Sequence, residues 1–244
     1  MLTRRSFTAL AGSAFCLALS GHPMAQSSGG RVKAVVELFT SQGCAQCPPA
    51  DAMLTSLAER GDVVALAYHV DYWDYIGWED TFGSKAYSDL QRAYARGWNS
   101  SRIFTPQMVV NGSEGVVGSK RDKVQASVGR ATLPLDVSLT VQNDMLKLEA
   151  PANAALGDAT IWLVRYVRRA EVAIEKGENA GKSMVYTQVV VDRQMVGMWE
   201  ASTGAEVKLP IEQVGAADGG IAILIQREQN GLPGPILGAA MHDF

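Results

Sequence analysis

Cysteine is scarce in this chain, with three residues in 244, which excludes a small scaffold stapled by several disulfides. Positive charge is not in excess either. Twenty-two Lys and Arg stand against 25 Asp and Glu, a formal net charge of -3, and no basic stripe is present to neutralise phosphates, so no nucleic-acid partner is expected. No apolar run is long enough to span a bilayer. Internal repeats and low-complexity tracts are missing, and 47% hydrophobic with 19% charged residues excludes disordered, collagen-like and coiled-coil chains. What remains is globular, with enough length for one large domain or two smaller ones.

The first 25 residues read as an export address. Adjacent Arg4 and Arg5, followed by Ser6 and Phe7, precede a mildly apolar stretch over 7–19 of signal-peptide length. The paired arginines point to the twin-arginine route. Phe15 before Cys16 is too bulky for a lipid-attachment box, so no lipoprotein is expected. The processed chain keeps only Cys44 and Cys47 and is expected in the periplasm or secreted, with no membrane span, where disulfides persist. Residues 26–32, with Ser27-Ser28-Gly29-Gly30, form a flexible linker.

Residues 35–40 (VVELFT) and 63–70 (VVALAYHV) are β-type apolar runs suited to strands covered on both faces. Between them Pro48-Pro49 opens a helix in which Met53, Leu54, Leu57 and Ala58 recur at helical spacing. Aromatics crowd the stretch from Tyr68 to Phe104, a packed insertion whose second half is a helix capped by Ser84. A strand over 107–110, an Asn111-Gly112 turn, a return strand starting at Val116 and a helix over 122–130 complete a β-α-β-α-β-β-α order across 33–131. Beyond Thr132 apolar and polar residues alternate, as in Leu135, Val137, Leu139 and Val141, and further β-type runs lie at 160–167, 185–191, 207–209 and 221–226. Residues 133–244 are therefore expected to form a separate, mainly antiparallel β domain of sandwich type, giving an α/β fold class overall.

Chemistry concentrates in Cys44-Ala45-Gln46-Cys47, at the junction of a buried strand and a helix. There, unpaired helix N–H groups are expected to stabilise a solvent-reachable Cys44 thiolate, the nucleophile, while Cys47 one turn on resolves the mixed disulfide. Thr105-Pro106 directly precedes a strand; a cis bond there would set the backbone against the disulfide and offer Thr105 and Gln107 to a substrate strand. Glu37, in the strand leading to the motif, is a candidate proton relay. His69, at the carboxyl end of the second strand, is a candidate proton carrier, with a hydrogen-bonded structural histidine as the alternative. Trp73, among Tyr72, Tyr75 and Trp78, is a candidate for a substrate groove, with core packing as the alternative.

Residues 33–131 resemble the thioredoxin superfamily, nearest in layout to the glutaredoxin-type fold, with the C-x-x-C at the redox position and Thr105-Pro106-Gln107 at the cis-proline strand. VELFTSQGCAQCPPAD (36–51), AYHVDYWDYIGW (67–78) and TPQMVVNG (105–112) resemble the secreted bacterial family called domain of unknown function 1223. The likeness extends to Gly177-Glu178-Asn179-Ala180-Gly181, which lacks a phosphate-loop pattern and reads as a plain loop. The resemblance implies the thioredoxin-like fold and no settled activity. Gly43 stands where thioredoxins usually carry tryptophan, and Ala45-Gln46 where they carry Gly-Pro, so the direction of electron flow is not implied.

The function expected is an exported thiol–disulfide oxidoreductase. It needs no cofactor beyond its own Cys44–Cys47 disulfide, and its partners are exported protein thiols or disulfides and an electron donor or acceptor. Two alternatives stand beside it. One is a Cu(I)- or zinc-handling module using Cys44, Cys47 and His69, with Met108 as a candidate further ligand for Cu(I). The other is an envelope binding module whose thiols are vestigial.

Overall fold

The computed structural model describes residues 31–215 and 218–244; the export address and most of the linker lie outside the described residues. Among the described residues eleven strands and four α-helices follow one another, with a 3-10 turn at Asp74–Ile76, as β1 (Ala34–Thr40), α1 (Pro48–Ala58), β2 (Val63–His69), α2 (Lys85–Gly97), β3 (Gln107–Val110), β4 (Glu114–Val117), α3 (Arg121–Arg130), β5 (Ser138–Gln142), β6 (Met145–Ala150), β7 (Ala159–Ala173), β8 (Ser183–Trp199), β9 (Ala205–Pro210), α4 (Ile211–Val214), β10 (Gly219–Gln229) and β11 (Leu232–Asp243). The fold class is α/β, with one mixed sheet and one antiparallel sheet. Eight strands run in the order β11-β10-β7-β8-β2-β1-β3-β4, and the other three in the order β5-β6-β9.

β1 and β2 are parallel and buried at every position, as their uninterrupted apolar runs require. β3 pairs antiparallel with β1, and β4 antiparallel with β3. Strand alternation divides the core. Ala34, Val36 and Leu38 pack with α1 and with Val124 and Val128 of α3, whereas Val35 and Phe39 pack on the other face with Tyr87 and Tyr94 of α2. Ser84 caps α2 by accepting from the Ala86 N–H, as its sequence position anticipates.

The expected division at residue 132 does not interrupt the core. β8 adds to β2 in parallel through the pair Ala67↔Val189, and β7, β10 and β11 continue the same sheet. Val164, Tyr166, Val190, Ala222 and Leu224 share one apolar cluster with Val35, Phe39, Val64 and Leu66. The physical reason lies in β2, a fully buried strand whose second edge needs a partner, and β8 supplies it. Only β5, β6 and β9 form a separate layer. They cover Ile161, Leu163, Ile221, Ile223 and Ile225 on one side of the large sheet, an unequal two-sheet packing rather than a free-standing sandwich.

β7 and β8 extend well beyond the expected 160–167 and 185–191. From Arg169↔Thr187 to Ala173↔Ser183 they leave β10 behind and project as a two-stranded ribbon. The ribbon reaches α1, where the hydroxyls of Thr55 and Thr187 lie 2.8 Å apart. Its tip, residues 174–182, lies over the loop that follows β1.

Candidate functional site

The loop leaving β1 closes on itself through the Cys44 N–H donating to the Ser41 carbonyl at 3.1 Å and the Cys47 N–H donating to the Cys44 carbonyl at 3.2 Å. This turn brings the two cysteines within 5.4 Å at Cα, and they form a disulfide. The pair is therefore redox-capable. Cys47 is the N-cap of α1, and Pro48 and Pro49 follow at its first positions.

Those prolines correct one expectation. They carry no N–H, so the first helical turn offers Cys44 less than a helix amino end ordinarily does. The next two N–H groups, of Ala50 and Asp51, donate to the Cys47 carbonyl at 2.8 and 3.1 Å, and the Ala45 N–H donates to Glu178 Oε2 at 3.3 Å. The expectation of a reachable sulfur is corrected too, because Cys44 is 1% exposed and Cys47 0%.

The aromatic insertion supplies one wall. A Cβ built on Gly43 would lie 3.0 Å from Trp73 Cβ and 3.1 Å from Ile76 Cδ1, so glycine is what the close approach of this segment demands. Trp73 then reaches the proline loop, its indole N–H donating to Thr105 Oγ1 at 2.7 Å. The Thr105-Pro106 peptide is cis. Pro106 stands beside the first turn of α1, since a Cβ on Gly118 would meet Ala50 Cβ at 3.0 Å and Pro106 Cβ at 3.3 Å. Trp73 and Thr105, both half-buried, are thus brought to the rim with Pro106. Gln107 is not. It is buried on the α2 face, where its side-chain oxygen accepts from Gln91 Nε2 at 2.7 Å, because it is one step out of phase with Pro106.

Glu37 is likewise displaced from its expected role. Strand alternation turns it to the α2 face with Val35 and Phe39, away from α1 and the cysteines. There it accepts from the Tyr94 hydroxyl at 2.5 Å, and Gln226 Nε2 donates to that hydroxyl at 2.7 Å. Burial raises its pKa, against the charge of Arg193 and the Tyr94 bond.

A second buried acid, Asp51, follows the cysteines on α1. It lies four residues after Cys47, one turn along α1, and accepts from the Thr40 hydroxyl at 2.8 Å. Burial pushes its pKa up to about 7, opposed by His69 and by the Thr40 bond. Thr40 and His69 are register partners on the parallel strands, so His69 shares the α1 face with Asp51. Behind it, His69 Nδ1 bonds Asp80 Oδ2 at 2.9 Å, with both side chains fully buried. Burial works against the Asp80 charge. The His69 bond and charge, with N–H donors from Gln42 at 2.7 Å and Phe82 at 2.9 Å, outweigh it and hold that carboxyl below its usual range. Two polar atoms of this group, Asp51 Oδ2 and His69 Nε2, are buried without a hydrogen-bond partner. The i, i+4 spacing from Cys47 was the signal for Asp51 available in the sequence.

The segment read as a plain loop is part of the site. Asn179 is 1% exposed, and its side-chain N–H2 donates to the Gln42 carbonyl at 2.8 Å and the Cys44 carbonyl at 3.0 Å. A cleft lined by Pro48, Asp51, Ala52, Thr55, Ser183 and Met184 runs between α1 and the ribbon. A larger cleft, lined by Arg31, Glu59, Asp136 and His242, lies at the opposite end of β1.

Among the described residues no group of three or more His, Cys, Asp and Glu side chains is arranged to hold a metal ion. Met108 packs beside Leu38 and Val36 against α1, and the two thiols are spent on each other. In the oxidised chain these side chains are therefore not gathered as a copper or zinc site. No helix among the described residues is long and apolar enough to cross a membrane.

A family model described as "Protein of unknown function (DUF1223)" matches residues 35–226. A crystal structure of a protein from Agrobacterium tumefaciens is similar to this chain, with 38% sequence identity and a TM-score of 0.75, and the match covers 87% of this chain and 94% of that one. No curated protein matches.

Proposed function

The chain belongs to the DUF1223 family, and from that premise together with the site's geometry we propose that it is an exported thiol–disulfide oxidoreductase. The observation that carries this reading is the Cys44–Cys47 disulfide at the entrance of α1, a helix whose first turn stands by Pro106 and bears the buried acid Asp51. The strand order β2-β1-β3-β4, with α1 crossing between parallel β1 and β2, supports it, being an order compatible with the thioredoxin-like layout that the sequence resemblance implies. Reading residues 1–25 as an export address supports an activity in the periplasm or outside the cell, on partners that we take to be protein thiols and disulfides.

In this mechanism the Cys44 thiolate attacks a substrate disulfide, forming a Cys44–substrate bond and expelling the first substrate sulfur with its electron pair. The Cys47 S–H then gives its proton to the Asp51 carboxylate, and the Cys47 sulfur attacks Cys44 Sγ. The Cys44–Cys47 bond forms, and the second substrate sulfur leaves with its electron pair and takes a proton from water. The substrate is reduced by two electrons, which an exported dithiol partner restores to the enzyme; the reverse sequence oxidises a substrate dithiol. His69, held by Asp80, stabilises the Asp51 carboxylate and keeps it available as a base. Glu37 takes no part.

Trapping tests this reading. Cys47→Ala expressed with its export signal should accumulate mixed disulfides through Cys44 with exported proteins, visible on non-reducing gels and identifiable by mass spectrometry. Absence of any adduct, with the Cys44 thiol free and the protein folded, would reject it.

A further inference from the structure

Asn179 is the buried exception among exposed neighbours, since Glu178, Ala180 and Gly181 on either side face solvent. We propose that the hairpin tip over residues 174–182 is a lid on the Cys44–Cys47 disulfide and that Asn179 is its latch. The proposal rests on the thiol–disulfide reading and adds to it the control of access.

The latch is a single amide gripping both carbonyls that flank Gly43, those of Gln42 and Cys44, at 2.8 and 3.0 Å. Its own oxygen is held by Lys182 Nζ at 2.7 Å, which fixes the amide's orientation. Glu178 adds the bond from the Ala45 N–H. The grip covers the loop beside the aromatic segment, since Cβ atoms built on Gly43 and on Gly177 would both touch Ile76 Cδ1, at 3.1 and 3.4 Å, and with it closed neither sulfur is open to a thiol of any size. Exchange therefore requires the tip to leave.

The tip is built to leave as a unit. Its internal bonds, Gly181 N–H to the Ile174 carbonyl at 2.8 Å and Ala180 N–H to the Gly177 carbonyl at 3.2 Å, stay intact when the latch parts. Gly177 and Gly181 both hold left-handed φ, +78° and +79°; a Cβ at Gly177 would lie 3.4 Å from Ile76 Cδ1 and Trp78 Cβ, whereas one at Gly181 would touch nothing, so the tip rests on the aromatic segment by one glycine and has open space at the other. The ribbon behind it has two strands only, having parted from β10. Buried Ile174 anchors the base of the tip, and beyond it the polar contacts of a few side chains, with Gly177 resting on Ile76 and Trp78, hold the segment closed, the arrangement expected of a gate hinged at its base.

The test is the rate at which dithiothreitol reduces the disulfide of the full, oxidised protein, followed by thiol alkylation and mass. Loss of the two latch bonds in Asn179→Ala should raise the open fraction, and with it the rate, by about tenfold or more. Lys182→Met, an exposed change that only frees the amide to rotate, should raise it by about threefold or more, and hydrogen exchange at the Ala45 amide should quicken in both. Rates within twofold of wild type in both folded variants would overturn the lid; if Asn179→Ala does not fold, Lys182→Met decides alone. Insulin serves as the second substrate and separates the two ideas. Accelerated reduction by dithiothreitol without any disulfide exchange with insulin or an exported protein would sink the oxidoreductase reading and leave the lid standing. Exchange with insulin at unchanged dithiothreitol rates would do the reverse.

Discussion

The Thr40 hydroxyl donates to Asp51 Oδ1 at 2.8 Å, tying the last residue of β1 to the acid one turn behind Cys47. This bond fixes one carboxylate oxygen and leaves the other, Oδ2, buried and unpartnered. The carboxyl is thereby positioned without being neutralised.

Asp51→Asn should slow the resolving step by about 100-fold near neutral pH, measured as decay of a Cys44 mixed disulfide in stopped flow. In the wild type that step should rise with pH through about 7, as the carboxylate forms, whereas the variant should stay flat until the thiol itself ionises near ~8.5. Stability moves the other way. A carboxyl raised from 3.8 in the unfolded chain to about 7 in the folded one stabilises most below the lower value, and that contribution is lost as pH climbs through 7. Denaturant titrations of Asp51→Asn should lack this decline.

Glu37→Gln separates the two buried acids. Because Glu37 sits on the α2 face with Tyr94 and Gln226, the variant should leave exchange rates within about twofold of wild type while changing stability by about 1 kcal/mol. A rate loss as large as that of Asp51→Asn would show that Glu37 communicates with the cysteines.

Asp80→Asn should cost about 3 kcal/mol at neutral pH, because it breaks a fully buried pair with His69 and weakens bonds from the Gln42 and Phe82 N–H groups. The folded-state pKa of Asp80 is depressed, so its contribution is present above 3.8 and lost as pH falls through the folded value. Urea midpoints of variant and wild type should therefore converge in acid.

Gly43→Ala should destabilise by about 1–3 kcal/mol, since the new methyl would lie 3.0 Å from Trp73 Cβ. The change should also shift tryptophan fluorescence, as Trp73 is pushed from its bond with Thr105.

Much of the site was legible because its signals are local. The C-x-x-C spacing, the Thr-Pro step ahead of β3 and the Ser84 cap each speak through neighbouring residues, and the structure places them as expected, with Thr105-Pro106 cis. Strand parity, not nearness in sequence, decides where Glu37 faces: it lies two positions before Phe39 and three before Thr40, which puts it on the Phe39 side of the sheet. β11 escaped notice because Pro233 and Pro235 resemble loop residues; an edge strand accepts them, and the register with β10 is irregular there. The contact of Asn179 with Cys44 spans 135 residues of sequence, and no periodicity reports such a distance.

β8 has a consequence for how the chain can be divided. It lends one stretch to complete the edge of β2 and carries on its approach the tip that roofs the cysteines. A fragment ending at residue 131 would keep every atom of the reactive pair, yet it would expose an apolar flank to self-association and leave the sulfurs bare to any passing thiol. Selectivity of reaction and solubility of the redox half are thus properties conferred by the other half, and neither would survive excision.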